Sequence, residues 1–403
     1  MRIYAVGGCV RDRMLGLPVS DRDWVVVGAT PAQMIALGYR PVGRDFPVFL
    51  HPDTHEEYAL ARTERKTAPG YRGFVVHADP AVTLEEDLAR RDLTINAMAE
   101  DETGAVIDPY GGRRDLALGR LRHVTPAFAE DPVRILRLAR FAARFHDFCV
   151  APETLALARS IVCSGEADAL VPERVWQELS RGLMEARPGR MWAVLRETLL
   201  AVRLLPELAT AIGGLRPSPN GHRIAAEAHL ARALDVAAAL GASIPVRWAV
   251  LLAQLAEFPE AAQRAEALSR RLRVPAHCLD LGRLAAELRQ TVAEVDRLDA
   301  EGRVRLLERL DSVRRPQRQL ELLQACACDH LAFSSGLPGH RALTGLTALY
   351  PPAAVWQAAA IACAEVDVGS IARELQDVPS PDRGAAIRAA VHAERVRAVA
   401  KIG

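Results

Sequence analysis

The sequence predicts a small α/β domain followed by a long all-helical part. Three observations predict it. Short β-type runs punctuated by Gly, Asp and Pro lie within residues 3–28 and 48–124. From about Asp131 onward the β signal fades, and amphipathic helical patterns follow one another. Half of the 403 residues are hydrophobic while aromatics make up only 5%, so the cores are built from Ala, Leu and Val, which favours helix.

Taken in order, strands are expected at residues 3–6, 24–27, 48–50, 57–61 and 95–99. Short helices over 31–37 and 84–90 separate them. Longer amphipathic helices follow over 132–144, 173–185, 190–201 and 225–240. Breaks fall at 212–221 (IGGLRPSPNG) and near 333–338. No repeat of fixed period stands out, and the length suits several domains.

Lys+Arg 51 against Asp+Glu 50 gives a net charge of +1, which by itself argues against a nucleic-acid binder. Only Lys66 and Lys401 are lysines, so arginine supplies 49 of the cations. The planar fork of arginine suits bidentate phosphate binding. No run of 18 apolar residues exists, so no membrane span is expected. The opening MRIYAVGG reads as a strand rather than a signal peptide, and seven cysteines, an odd number, read as reduced thiols. A cytoplasmic protein is expected. Cys326 and Cys328 beside His330 lack the second ligand pair that a zinc site needs.

The chemistry concentrates in the α/β part. Gly7-Gly8-Cys9-Val10-Arg11-Asp12 directly follows the first strand. Two glycines there let backbone N–H groups approach a phosphate, and Arg11 can close on the same oxygens. A plain strand–turn–helix with a surface arginine has the same pattern. Asp21-Arg22-Asp23-Trp24 opens the next strand. Residues i and i+2 of a strand share a face, so Asp21 and Asp23 set two carboxylates side by side. Like charges repel at that distance unless a cation lies between them, and a hard divalent ion such as Mg²⁺ fits. Glu57 becomes a third carboxylate if its strand neighbours that of Asp21; otherwise it faces solvent.

In Arg90-Arg91-Asp92-Leu93-Thr94-Ile95-Asn96, Arg91 suits phosphate and Asp92 a ribose hydroxyl, unless the two form a surface pair worth little. Asp131 before Pro132 makes a good helix N-cap with Pro at the first position. Arg134, Arg137 and Arg140 then recur at steps of three, and Arg144 extends the stripe. No acid occurs over 133–145. Arginines without partners repel one another, so the stripe predicts a bound anion, either a triphosphate or an RNA backbone.

These motifs, in this order, closely resemble the bacterial CCA-adding enzymes, class II tRNA nucleotidyltransferases of the polymerase-β-like superfamily. The matching segments are GGCVRD (7–12), DRDW (21–24), EEYALARTERKTAPGY (56–71), RRDLTINAM (90–98), DPYGG (108–112) and EDPVRILRLARF (130–141). ERVWQEL (173–179), RRLRVP (270–275) and RRPQR (314–318) extend the resemblance over essentially the whole chain. It implies a polymerase-β-like nucleotidyltransferase head over 1–140. An all-α neck over 141–210 with a nucleotide-binding helix at its start, a body over 211–330 and a tRNA-binding tail over 331–403 follow. The implied reaction is attack of a tRNA 3′-hydroxyl on the α-phosphorus of CTP or ATP, with loss of pyrophosphate and no nucleic-acid template.

The resemblance also assigns roles. Asp21 and Asp23 hold Mg²⁺. Gly8 and Arg11 meet the triphosphate, and Arg91, Asp92, Arg137 and Arg140 make further nucleotide contacts. Asp131 and Arg134 read the base. Adenine and cytosine both present an amine donor beside a ring-nitrogen acceptor, which an acceptor–donor pair accepts; guanine and uracil reverse that order. Residues 62–73 correspond to a flexible loop found in enzymes that add both C and A and absent from those that add only A.

One departure concerns the body. Many members of this branch carry a metal-dependent HD phosphohydrolase centre there. Ala253 and Gln254 stand where its His-Asp pair would be, His229 is retained, and Leu288-Arg289-Gln290 replaces a downstream F-H-D. Neutral Ala and Gln cannot hold a divalent metal, so no phosphohydrolase activity is expected. The helical remainder is expected to bind tRNA through residues 303–318 and 383–401, each carrying a net +4. The chain is read as a monomer, with a homodimer as the alternative. The competing functions are a poly(A) polymerase or A-adding enzyme of the same superfamily and a non-catalytic RNA-binding protein.

Overall fold

Nine short strands open the chain, namely β1 (Arg2–Val6), β2 (Asp23–Val27), β3 (Arg40–Val42), β4 (Val48–Leu50), β5 (Glu57–Leu60), β6 (Thr63–Lys66), β7 (Phe74–His77), β8 (Ala99–Glu100) and β9 (Val106–Ile107). The computed structural model describes all residues except 20, 43–47, 67–73, 218–220, 222, 335–344 and 403. Seven of these strands form one sheet in the order β3-β4-β5-β2-β1-β8-β9. β2 and β5 run parallel, and the other neighbours are antiparallel. Alternation sorts the side chains between the two faces. Tyr4, Val6, Val25 and Val27 pack with Leu84 and Leu88 of α3 (Leu84–Ala89). On the other face Val26, Tyr58 and Leu60 pack with Met34 of the helix Pro31–Ala36. Both helices start with reciprocal capping boxes, Thr30 with Gln33 and Thr83 with Glu86.

Longer helices follow in the same unit, among them α4 (Val133–Arg144), α5 (Pro172–Met184) and α6 (Pro188–Glu197). α4 packs against both α5 and α6. A Cβ at Gly182 of α5 would lie 3.6 Å from the Cα of Arg140 and would strike the Met191 sulfur, so glycine allows the close approach. The chain divides into two units, Met1–Pro206 and Glu207–Gly403. Among its described residues, the second unit has helices and one strand pair, Leu215–Pro217 with Arg223–Ala225, at the expected break. There the helix Ile244–Leu252 is buried from Pro245 onward and packs against Ala276–Ala293, where Gly282 admits Trp248.

Three expectations need correction. Residues 95–99 are not a strand: Thr94–Asn96 is a 3₁₀ turn and only Ala99–Glu100 pairs. Side-chain bonds divert the backbone there, from Thr94 to Asp115 at 2.7 Å and from Asn96 to Asp92 at 2.9 Å. The helix expected over 190–201 breaks at Leu199, whose φ of 65° starts a separate Leu200–Leu204 turn. The segment 62–73 is not all loop, because β6 pairs with β7; residues 67–73 lie outside the described residues.

Candidate functional site

The register of three strands builds the site. Val6, the last residue of β1, pairs with Asp23, the first of β2, and Asp23 pairs with Glu57, the first of β5. The Gly7-Gly8 turn, Asp23 and Glu57 therefore meet at one end of the sheet. Asp21 lies just before β2 rather than within it. Asp21, Asp23 and Glu57 are all exposed and line a cavity of about 750 Å³. Gly8, Arg11, Arg91, Asp92, Asp131, Arg134, Arg137 and Arg140 line the same cavity, so it gathers the residues expected to meet nucleotide and metal.

Gly7 has φ 75°, and a Cβ there would stand 2.7 Å from the Arg91 guanidinium. Glycine is thus required both by its backbone and by the arginine seated over it. The helix Gly8–Met14 starts at once and carries Arg11 inward. Arg11 is buried, donates to Asp12 at 2.9 and 3.0 Å and to Asn96, and lies over the rings of Phe141 and Phe145. Burial lowers its pKa, against the pull of Asp12. Arg11 forms the cavity floor, not a mobile arm.

The arginine stripe of α4 has partners, contrary to expectation, and each comes from another part of the chain. Arg137 donates to Asp92 at 2.6 Å, Arg140 to Glu178 at 2.7 Å and Arg144 to Asp12 at 2.9 Å. Arg134 is buried and donates to the carbonyls of Ala127 and Arg90, both at 2.6 Å. Asp92 accepts from Leu93 N–H and Asn96 as well. Burial would raise the Asp92 carboxyl, but Arg137 and these bonds hold it well below the usual carboxylate range. Asp92 thus orients Arg137, with its oxygens already engaged. Arg137 in turn is raised by the Asp92 charge.

Asp131 accepts from Val133 N–H at 3.1 Å, as a helix-capping carboxylate does. It also accepts from Arg174 of α5 at 2.8 and 3.3 Å. Arg174 and Glu178 were missed as site residues. The available signal was the segment ERVWQEL, where they sit four apart on one helix face.

The donor set suits a hard divalent cation: two aspartates with a glutamate in register, all oxygen ligands. Among the described residues no group of three or more His, Cys, Asp or Glu gathers tightly enough to hold a metal unaided. Asp21 and Asp23 would share it with substrate phosphate and water.

A second cluster lies in the C-terminal unit. Buried Asp329 accepts from Arg216 at 3.0 and 3.1 Å, Arg289 at 2.8 Å and Gln254 at 3.0 Å, and meets His229 Nε2 at 3.0 Å. Burial would raise this carboxyl; Arg289, His229 and Gln254 hold it well below the usual range. His229, Gln254 and Arg289, the positions expected to match an HD centre, do come together, but on the carboxylate of Asp329 and beside Arg216. Asp329 was missed in the sequence. The cationic windows are also partly spent: Arg318 pairs with Asp280, Arg309 with Glu287 and Arg395 with Glu308. No single described helix is long and apolar enough to cross a membrane.

The family model for the "Poly A polymerase head domain" matches residues 3–122, and that for the "Probable RNA and SrmB- binding site of polymerase A" matches 147–212. Residues 3–122 therefore form a polymerase-type nucleotidyltransferase head. Relatives called multifunctional CCA protein are 53% identical in an Azoarcus species and 54% in Aromatoleum aromaticum. Each alignment covers 99% of this chain, with 97% and 98% of the relative. The chain belongs to the multifunctional CCA protein family. Among solved structures, the Bacillus stearothermophilus CCA-adding enzyme in complex with CTP shares the fold at TM-score 0.63 and 24% identity, covering 97% of this chain and 88% of that one. A tRNA-processing enzyme with CTP matches at TM-score 0.57 and 26% identity, covering 84% and 90%.

Proposed function

We propose that the cavity at the end of the sheet adds C, C and A to the 3′ end of tRNA from CTP and ATP, releasing pyrophosphate and using no nucleic-acid template. The observation that carries this reading is the strand register. It sets Asp23 beside Glu57 and beside the Gly7-Gly8 turn, facing the arginines of α4. Asp21 and Asp23 hold the ion, which we take to be Mg²⁺. When bound, it lowers the pKa of the 3′-hydroxyl and neutralises the leaving oxygens. Arg11, Arg91, Arg137 and Arg140 surround the triphosphate with donors, the last two held by Asp92 and Glu178 through Nε with the rest of each fork left for phosphate oxygens. Asp131 accepts from the exocyclic amine of C or A, and Arg134 donates to the ring nitrogen.

Under the same reading, residues 1–140 are the head, 141–210 the neck, 211–330 the body and 331–403 the tail, and the protein is cytoplasmic. The body lacks phosphohydrolase chemistry, because Asp329 is enclosed by Arg216 and Arg289. The test supplies purified protein with a tRNA lacking CCA, Mg²⁺ and each nucleotide separately. CTP alone should extend the tRNA by C, and CTP with ATP should complete CCA. Extension by ATP alone into a run of A would favour a poly(A) polymerase. Hydrolysis of 2′,3′-cyclic AMP with Ni²⁺ would show that the body retains a metal centre.

A further inference from the structure

We infer that Arg174 is a positioning residue for base selection, acting through Asp131; the inference rests on the reading of Asp131 as the base acceptor. A carboxylate that tells C and A from G and U must present a charged oxygen in one orientation. Asp131 has a short side chain at the point where the 3₁₀ turn Pro126–Glu130 meets α4. Val133 N–H fixes one oxygen, Oδ1, at 3.1 Å. That single bond leaves the plane of the carboxylate free to rotate. Arg174 removes this freedom: Nη1 donates to Oδ1 at 3.3 Å and Nη2 to Oδ2 at 2.8 Å. A two-point fork fixes both the plane and the charge.

The location supports the same role. Asp131 and Arg174 are partly exposed, at 20% and 28% of their side-chain surface, and both line the cavity. Each carboxylate oxygen can accept more than one bond, so a forked Asp131 still offers acceptor capacity to a base. Arg174 is anchored through its helix. One turn on, Glu178 is buried and accepts from Arg140 at 2.7 Å, while Gly182 holds α5 against the α4 backbone at Arg140. One face of α5 thus grips the N-terminal end of α4 through Asp131 and its middle through Arg140. A shift of α5 would move the base acceptor and a phosphate donor together.

The experiment measures kcat/KM for CTP, ATP, UTP and GTP on truncated tRNA in four proteins: Arg174→Ala, Arg174→Lys, Asp131→Ala and the double variant Asp131→Ala/Arg174→Ala. Melting temperature is recorded for each. Arg174→Ala should reduce discrimination against UTP and GTP by about tenfold, the size of one charge-assisted hydrogen bond. Arg174→Lys should fall between, since a point charge cannot hold both oxygens, and it decides the matter if the alanine variant fails to fold. The double variant should discriminate no worse than Asp131→Ala. Additive losses would mean that Arg174 meets the nucleotide directly and would overturn the positioning role. Unchanged discrimination in both Arg174 variants, with loss in Asp131→Ala, would overturn it while leaving the base-reading role intact. Unchanged discrimination in Asp131→Ala would remove that role itself.

Discussion

Two arginine–carboxylate groups in this chain differ in how much of the guanidinium they leave open. In the N-terminal cavity, Asp92 holds Arg137 while 36% of the Arg137 side-chain surface stays exposed. In the C-terminal unit, Asp329 is enclosed by Arg216 and Arg289, which retain 10% and 11%. The chemistry of the pairs is the same. In the first, the carboxylate aims a cation at open space; in the second, two cations close over the carboxylate and leave it no open side. An arginine is a binding group only while part of its fork remains unspent, and a carboxylate is a metal ligand only while no guanidinium closes on it.

The comparison can be tested from both sides. The largest effect is expected in the open site. Asp23→Ala should lower nucleotide transfer by roughly a thousandfold, and the melting temperature should hold because the side chain is exposed. Single-turnover extension with CTP reads it, and near-normal rates would show that the exposed carboxylates carry no chemistry. Next comes the closed cluster. Asp329→Asn should cost about 3 kcal/mol, since Arg216 and Arg289 are left buried without their charge partner. Urea unfolding of the full chain measures this; a loss under one kcal/mol would mean that the cluster behaves like a surface pair. Asp329 is depressed in the folded state, so its stabilisation is present above the ordinary carboxylate pKa and disappears as pH falls through the folded value.

A smaller change is expected from Asp92→Asn, which keeps shape and removes charge. It should raise KM for CTP and ATP about tenfold by releasing Arg137, with a smaller change in kcat. The smallest concerns His392, which lies between Glu308 at 2.8 Å and Glu301 at 3.0 Å. Bonds to Glu308 and Glu301 raise its pKa. That stabilisation is full below the ordinary histidine pKa and is lost as pH rises through the folded value. His392→Gln should cost under about 1 kcal/mol at pH 6 and less at pH 9, read by thermal melting. An equal cost at both values would show that the histidine is held neutral.

How much of this was legible followed from distance along the chain. Gly7-Gly8, Asp21 with Asp23, and Asp131 before Pro132 are local patterns, and the structure brings them to one cavity. The partners of the arginines were not legible. Asp92 lies 45 residues from Arg137, Glu178 lies 38 from Arg140, and Asp12 lies 132 from Arg144. A window without acids therefore looked unpaired although the fold supplies a carboxylate to each of these three. The same reasoning explains the cationic windows, whose partners Asp280 and Glu287 lie outside them. Residues 95–99 misled because apolar alternation ignores what Thr94 and Asn96 do with their side chains. In the C-terminal unit, the neutral Ala253 and Gln254 were readable, but the closing of Arg216 and Arg289 on Asp329 needed coordinates.

The Trp24–Tyr58 pair has a consequence for how the carboxylates stay where they are. The two rings are stacked 5.4 Å apart, and the Trp24 Nε1–H donates to Glu56 at 3.0 Å. Trp24 and Tyr58 are register partners, one residue after Asp23 and Glu57, so they lie on the opposite face of the sheet. A slip of β5 by one residue would turn Glu57 away from the cavity and put Glu56 or Tyr58 in its place. It would also unstack the rings and break the indole bond. The aromatic pair thus works as a keyed joint: a hydrophobic fit on one side of the sheet dictates which acidic oxygens are available on the other.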